Sequence, residues 1–193
     1  MPLMQVRQDA VIALGGNLPL GDHPPAETLL SALKKIGQTA LQIRAISRFY
    51  ATPCFPANAG PDYVNAAALL SLPAGMTPEA ALAELHAVEA VFGRARAQRW
   101  GMRTLDLDLI ALGDLVRPDA ETQTRWRKLA PDAQRQEAPE TLILPHPRLQ
   151  DRGFVLVPMA DIAPHWTHPL TGQSVREMRD ALPPGARAEI TPL

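Results

Sequence analysis

Short apolar runs and helical periodicities follow one another along the first part of the chain. The apolar run over 9–14 ends at Gly15-Gly16-Asn17, which predicts a buried strand that finishes in a tight turn. Apolar residues at helical spacing predict a helix over 24–37, and residues 41 to about 50 favour a second strand. The first fifty residues therefore predict a strand, a helix and a strand.

The same pattern continues to residue 112. Residues 63–72 predict a strand of mixed apolar character. Thr77 followed by Pro78 is a preferred helix start, and apolar periodicity carries that helix to Gly93. Residues 104–112 alternate apolar and polar side chains, which predicts a further strand. The order β-α-β-β-α-β predicts an α+β protein with a ferredoxin-like antiparallel sheet and helices on one face.

The segment at about 117–140 breaks this pattern. It carries five basic and five acidic residues, three prolines and almost no periodicity, with Trp126 and Leu129 as its apolar anchors. We interpret it as an inserted surface loop on a single domain that spans 1–193. In the C-terminal extension that follows, residues 174–182 predict a helix.

Composition narrows the possible classes of protein. Nineteen basic and twenty acidic residues give a formal charge of −1, which argues against a general nucleic-acid coat. No apolar stretch approaches the roughly 20 residues of a membrane span, and the first residues lack the layout of a secretory signal. One cysteine, Cys54, excludes an internal disulfide and a thiolate metal cluster. A reducing cytoplasm fits this composition best, and we expect a monomer with no membrane or nucleic-acid partner.

Two aspartates on the strand at 104–112 are the first candidate for chemistry. Asp106 and Asp108 alternate with leucines, so both carboxylates face one side of the strand, with Cα atoms roughly 7 Å apart. Aspartate is depleted in strands, and two parallel carboxylates suit Mg²⁺ that also holds substrate phosphates. They could bridge two ions, as in phosphoryl transfer. Alone, the pair would favour a solvated polar face.

An arginine-rich segment precedes this strand and favours a phosphate-binding site over a solvated polar face. Arginines at positions 94, 96, 99 and 103 outnumber the two aspartates, so the surplus positive charge favours an anion such as a phosphate. Trp100 offers a flat surface for a planar ring. Phosphate chemistry is favoured over a structural patch of surface ion pairs on this joint pattern.

Two other groups of residues could bind a ring or a phosphate. Tyr63 offers a stacking face and the Asn65 amide has both a donor and an acceptor, although a core tyrosine and a turn asparagine are equally simple. His146 lies between two prolines, followed by Arg152 and Phe154. A single histidine is usually structural, so His146 is a candidate only because Arg152 and Phe154 follow it.

These motifs together resemble one enzyme family. Gly15-Gly16-Asn17-Leu18, Pro61-Asp62-Tyr63-Val64-Asn65, Arg99-Trp100-Gly101, Arg103-Thr104-Leu105-Asp106-Leu107-Asp108, Pro145-His146 and Arg152-Gly153-Phe154 occur in the order found in the 6-hydroxymethyl-7,8-dihydropterin pyrophosphokinases of folate biosynthesis. The resemblance covers about residues 10–170. It implies transfer of diphosphate from ATP to the hydroxymethyl oxygen of the pterin, with release of AMP.

The resemblance also implies roles for individual residues. Asp106 and Asp108 would bind two Mg²⁺ ions, and Arg94 and Arg103 would be catalytic. The ATP contacts would be Arg96, Arg99, Arg103, Leu109, His146 and Arg152. The pterin would lie between Tyr63 and Phe154, near Thr52, Pro53, Phe55, Asn65 and Trp100. Glu89 would support the arginines, although a solvated helix glutamate is the simpler interpretation of that residue.

Departures from the family pattern and two rival functions remain open. Gly16 replaces a usual serine, Pro147 replaces a commonly aromatic or polar residue after the histidine, and Ile143 falls where a hydroxyl residue can contact the nucleotide. These departures concern the ATP contacts and not the metal ligands. An RNA-binding module has the same strand order, but its phosphate backbone would be repelled by strand carboxylates. A palm-type nucleotidyl transferase or cyclase also uses strand aspartates and two metals, and it would release pyrophosphate rather than AMP.

Overall fold

A six-stranded antiparallel sheet forms the framework of the protein. The computed structural model describes residues 7–54, 60–93, 103–130, 133 and 137–193. The strands are β1 (Gln8–Gly16), β2 (Gln42–Ile46), β3 (Tyr50–Thr52), β4 (Tyr63–Leu72), β5 (Asp106–Leu112) and β6 (Thr191–Pro192). They run in the order β5-β1-β4-β3-β6, and β2 pairs with another part of β4. This arrangement confirms the predicted α+β, ferredoxin-like class.

Six α-helices in the described part of the chain pack around the sheet or extend it. They are α1 (Pro25–Ile36), α2 (Pro78–Val91), α3 (Ala120–Lys128), α4 (Gly153–Ile162), α5 (Val175–Asp180) and α6 (Pro184–Ala188). Thr77 caps α2 by accepting a hydrogen bond from the Ala80 amide at 3.1 Å, as the sequence predicted. Among the described residues, no helix combines the length and apolar character required to cross a bilayer.

The first face of the sheet is covered by α1 and α2. Alternate residues of β1 point here, and they include the fully buried Ile12 and Leu14. Leu29 of α1 and Leu85 of α2 pack against them. Leu105, Leu107 and Leu109 lie in the same apolar cluster, as their alternation with the aspartates predicted.

The C-terminal extension covers the second face. Val11 and Ala67 of the sheet pack here against Val155, Leu156 and Met159 of α4, and α5 adds Val175 and Met178. The sheet therefore has an apolar core on each side. At one end of this second face, β5 presents Asp106 and Asp108 in place of apolar residues.

Two predicted segments differ in detail. The predicted strand over 41–50 divides into β2 and β3. Ser47 lies at the break. Its hydroxyl accepts a hydrogen bond from the Ala67 amide at 2.9 Å and donates one to the Arg48 carbonyl at 2.6 Å. A side chain therefore takes the place of a backbone group in the hydrogen bonding between the strands. The segment at 117–140, interpreted as a loop, contains α3, because Asp119 caps a helix that buries Gln123 and Trp126.

Candidate active site at one end of the sheet

The two aspartates of β5 lie side by side with two arginines. In the sheet, Asp106 pairs with Gly15 and Asp108 pairs with Ala13. Arg103 forms an ion pair with Asp106, and an Arg152 Nη1 lies 3.5 Å from an Asp108 carboxylate oxygen. The carboxylates are 23% and 38% exposed, so both can be reached from solvent. This corner therefore combines acidic oxygens with guanidinium groups.

Glu89 holds the strand between the two aspartates. Its side chain is 1% exposed, and Oε1 accepts a hydrogen bond from the Leu107 amide at 2.7 Å. The Thr104 hydroxyl donates to the Phe92 carbonyl at 2.9 Å, which ties the start of β5 to the end of α2. The interpretation of Glu89 as a solvated helix residue is therefore wrong, because the side chain is buried and bonded.

Asn17 connects the turn after β1 to two other segments. Its Oδ1 accepts from the Arg103 amide at 3.0 Å, and its Nδ2 donates to the Pro61 carbonyl at 3.2 Å. Its own amide donates to the Arg103 carbonyl at 2.9 Å. Because Asn17 is 1% exposed, these contacts are protected from water and fix the backbone of Arg103.

A row of paired residues runs across the sheet from the aspartates to the predicted pterin site. Asp106 pairs with Gly15, and Gly15 pairs with Asn65. Two strand spacings, about 10 Å, therefore separate Asp106 from Asn65. The Asn65 Nδ2 donates to the Thr52 hydroxyl at 2.6 Å. A Cβ on Gly15 would lie only 2.7 Å from the Asn65 Oδ1, so glycine leaves space for this amide.

Two aromatic residues lie near this row. Burial raises the pKa of the Tyr63 hydroxyl, with smaller electrostatic effects from Cys54, Arg103 and Asp106, which places Tyr63 within the field of the aspartate corner. Phe154, at the start of α4, is 40% exposed. The guanidinium carbon of Arg152 lies 5.6 Å from the centre of its ring, so Arg152 contacts both an aromatic residue and an aspartate.

The His146 ring, on a segment whose backbone is bonded to Ile110 of β5, has a defined orientation. The Arg148 amide donates to its Nδ1 at 3.1 Å, so the neutral ring carries its proton on Nε2. Burial, together with Arg152 and Arg148 nearby, lowers the pKa of His146 well below its usual range. At neutral pH, Nε2 is therefore a neutral donor available to an acceptor on a ligand.

The structure brings together most of the predicted residues that it describes. Thr52 and Asn65 are buried, Tyr63, Asp106, Asp108, Arg103, His146 and Arg152 are half-buried, and Pro53 and Phe154 are exposed. The Leu109 side chain is 3% exposed in the core of the first face, so it does not point to the face of the aspartates. Gly16 and Ile143 are buried. Phe55, Arg94, Arg96, Arg99 and Trp100 lie outside the described residues.

Sequence reasoning missed two residues that organise the site. Asn17 belongs to the Gly15-Gly16-Asn17 motif, but local periodicity does not indicate its contact with Arg103, 86 positions away. Gln123 lies in the segment interpreted as a loop, yet it is fully buried and bonded to the Pro145 carbonyl next to His146. The helix cap at Asp119 was the one local signal for this second contact.

Known proteins that resemble this chain belong to one family. The sequence model of the family described as 7,8-dihydro-6-hydroxymethylpterin-pyrophosphokinase (HPPK) matches residues 11–164. A 2-amino-4-hydroxy-6-hydroxymethyldihydropteridine pyrophosphokinase from Synechocystis is 35% identical over 170 residues, which cover 88% of this chain and 73% of the relative. The protein of that name from Methylorubrum extorquens is 31% identical over 176 residues, which cover 91% and 94%.

A solved structure has the same fold. The HPPK-DHPS of Plasmodium falciparum, crystallised with pterin and p-hydroxybenzoate, aligns with a TM-score of 0.63 at 13% identity. The alignment covers 93% of this chain and 44% of that protein, so this chain spans less than half of its length. At this identity the likeness supports the fold alone.

The family model and the curated relatives define an ATP-dependent transferase class, the diphosphokinases. The chain belongs to the 7,8-dihydro-6-hydroxymethylpterin-pyrophosphokinase family. The reaction of this family is the transfer of diphosphate from ATP to the hydroxymethyl group of the dihydropterin in folate biosynthesis. The family and the reaction class predicted from the sequence motifs are confirmed.

Proposed function

We propose that this chain carries out the family reaction at the corner formed by β5, the end of β1 and the start of α4. The hydroxymethyl oxygen of the pterin attacks the β-phosphorus of ATP, the bond to the α-phosphate oxygen breaks, and AMP leaves with that oxygen. The proton of the alcohol is lost to solvent or to a phosphate oxygen. Because a primary alcohol is a weak nucleophile, alignment of the two substrates provides much of the acceleration.

Asp106 and Asp108 are the proposed ligands of two Mg²⁺ ions. Their donor set fits this metal, because Mg²⁺ prefers hard oxygens and is commonly held by one or two carboxylates, with water and substrate phosphates completing its shell. When bound, Mg²⁺ would neutralise charge on the triphosphate. Arg103 and Arg152 are paired with these carboxylates in the structure, and on substrate binding they would release them to Mg²⁺ and pair with the phosphates.

Arg103 and Arg152 bind the phosphates from opposite sides of the aspartate pair. Arg103 is the catalytic arginine among the described residues, because Asn17 fixes its backbone from both the amide and the carbonyl. A guanidinium carried on an anchored backbone segment can stabilise charge that develops in the transition state. Arg94 is proposed as its catalytic partner, and Arg96 and Arg99 as further ATP contacts, from the family motif alone.

We assign the pterin and the nucleotide to two different sets of side chains. Tyr63 and Phe154 stack on the pterin, and the bonded pair of Asn65 and Thr52 reads the edge of its ring. Pro53, Phe55 and Trp100 border it by motif. The His146 Nε2 donates to the nucleotide, near the main chain of Leu109. We further propose that the enzyme is a cytoplasmic monomer in a single domain.

One observation carries this proposal: two carboxylates on one strand face meet two arginines, and the same row of the sheet reaches the Asn65 amide. The decisive experiment incubates the purified protein with ATP, Mg²⁺ and 6-hydroxymethyl-7,8-dihydropterin and identifies the products. AMP and the pterin diphosphate are expected. Release of pyrophosphate or ADP would overturn the proposed reaction.

The metal assignment is tested by Asp106→Asn and Asp108→Asn. Each change removes one charge but keeps the shape of the side chain, so we expect at least a 100-fold loss of turnover with a weaker titration by Mg²⁺. Asp9→Asn is the matched control, because Asp9 is an exposed aspartate at the opposite end of β1. Wild-type turnover in either site variant would exclude that residue as a metal ligand.

A further inference from the structure

The inserted helix α3 reaches the predicted nucleotide side of the site. Asp119 begins this helix by accepting from the Thr122 amide at 2.8 Å and from the Thr122 hydroxyl at 2.9 Å. Trp126 is 7% exposed and Gln123 is 0% exposed, so one face of the helix is packed into the protein. A tolerated surface loop would not bury a polar amide in this way.

The Gln123 amide has a partner at each end. Its Nε2 donates to the Pro145 carbonyl at 3.1 Å, and its Oε1 accepts from the Arg127 Nε at 3.4 Å. A carbonyl can only accept and a guanidinium can only donate, so these partners define which end of the amide faces the Pro145 carbonyl. The contact joins positions 22 residues apart.

The segment that Gln123 holds contains the predicted nucleotide residue His146. Two backbone hydrogen bonds, of 2.9 and 3.2 Å, pair Arg117 with Leu144 just before it. The His146 amide donates to the Ile110 carbonyl at 2.8 Å, which ties the histidine to β5, the strand of the aspartates. Pro145 and His146 are therefore held between the inserted helix and the proposed metal strand.

We propose that Gln123 is a positioning residue for ATP. It fixes the Pro145 carbonyl, and through it the backbone of His146, so that the His146 Nε2 donor points at the nucleotide. This inference rests on the proposed function for the assignment of His146 to ATP. It gives the inserted segment a role in the reaction, which is to order the nucleotide side of the site rather than the pterin side.

The test compares Gln123→Met with Thr28→Val. Methionine keeps a similar volume but loses both hydrogen bonds. The control removes a buried hydroxyl of α1, which donates to the Pro24 carbonyl at 3.4 Å and has no hydrogen bond to the segment of Pro145 and His146. We expect Gln123→Met to raise the KM for ATP at least about threefold while the KM for the pterin changes less than twofold. Thr28→Val should lower the Tm without this split.

A spectroscopic readout separates positioning from general destabilisation. The nitrogen resonances of the His146 ring report the hydrogen bond at Nδ1 and the proton on Nε2. We expect them to shift in Gln123→Met and to stay unchanged in Thr28→Val. Arg127→Met, which removes the contact at Oε1 and spares the bond to Pro145, provides a milder variant if Gln123→Met does not fold, with a smaller rise in the KM for ATP.

The outcomes distinguish this inference from the proposed function. Equal changes in both KM values, or an unshifted His146 spectrum with a lowered Tm, would overturn the positioning role of Gln123. Calorimetric titration with Mg²⁺ and a non-hydrolysable ATP analogue measures the same effect without turnover. If wild type bound the analogue but made no AMP, the proposed reaction would fail, while weaker analogue binding by Gln123→Met would still support the positioning role.

Discussion

At two adjacent glycines at the end of β1, an added Cβ would contact a side chain in one case and backbone in the other. A Cβ on Gly15 would approach the Asn65 side chain, which could rotate at the cost of its bond to Thr52. A Cβ on Gly16 would lie 2.5 Å from the Thr104 carbonyl oxygen, which is backbone and cannot move alone. Gly16 thus allows the close approach of the backbone at Thr104, just before β5.

We predict that Gly16→Ala destabilises the fold by about 1–3 kcal/mol, because the backbone at Thr104 must shift to admit the methyl group. Urea unfolding measures this free energy. Gly37→Ala is the control, since a Cβ there would meet its nearest atoms at 3.5 and 3.6 Å, an ordinary contact, with φ at −62°. Equal stability of Gly16→Ala and wild type would contradict the close approach.

At the scale of residues, the sequence predicted the orientation of those side chains that the periodicity of a single strand or helix determines. Asp106 and Asp108 share a face because strand side chains alternate, so their grouping followed from spacing alone. The contact of Asn17 with Arg103 and that of Gln123 with Pro145 depend on how distant segments pack. No local pattern encodes such pairs, which explains why the sequence did not predict their roles.

At the scale of elements, β5 takes part of its hydrogen bonding outside the sheet from α2 and part from the His146 amide. Within the sheet β5 pairs with β1, and the Leu107 amide turns to Glu89 instead of to another strand. Since Leu107 lies between the two aspartates, this bond limits how far the proposed metal ligands can move. The helix therefore contributes to the site without contacting substrate.

We predict that Glu89→Leu loosens β5 and weakens Mg²⁺-dependent turnover, whereas Glu89→Gln retains an acceptor for the Leu107 amide and largely restores its protection. Amide hydrogen exchange at Leu107 is the direct measurement. Exchange in Glu89→Leu as slow as in wild type would contradict this role, and so would equally fast exchange in both variants.

The order and most bounds of the elements up to residue 112 followed from periodicity, and β4 matches its prediction at both ends. Prediction was poorer where side chains replace backbone partners or where packing supplies the stability. Ser47 divides one predicted strand, and α3 has a polar sequence stabilised by a cap and by two buried residues. Helix α4, which is almost uniformly apolar, has little periodicity to detect.

At the scale of the whole molecule, the second face of the sheet depends on the C-terminal extension. Asp161 at the end of α4 accepts hydrogen bonds from the Arg48 side chain, at 2.9 and 3.2 Å, and from the Tyr50 hydroxyl at 2.8 Å. A further histidine of the extension, His168, is fully buried, and its Nδ1 accepts from the Leu170 amide at 3.2 Å.

We predict that His168 makes folding sensitive to acid. Burial, with a smaller effect of Arg127, lowers the pKa of His168 from 6.5 to about 4. The folded state therefore disfavours the proton, so the contribution of His168 is complete above pH 6.5 and is lost as pH falls towards 4. The loss amounts to about 3 kcal/mol at most.

Urea unfolding of wild type and His168→Asn between pH 7 and pH 4.5 measures this effect. Asparagine keeps an acceptor near the Leu170 amide but does not titrate. The stability difference between the two proteins should shrink as the pH falls, while the depressed pKa of Asp161 affects both alike. A constant difference would exclude His168 as the source. A single transition in these curves would support the prediction of one domain.

The bond between Glu89 and Leu107 has one more consequence. An outermost strand with free amides is a template on which another polypeptide can add, which promotes aggregation. On β5, the Glu89 carboxylate accepts a hydrogen bond from one such amide, that of Leu107. The contact that steadies the aspartates therefore also protects the margin of the sheet from non-native strand addition.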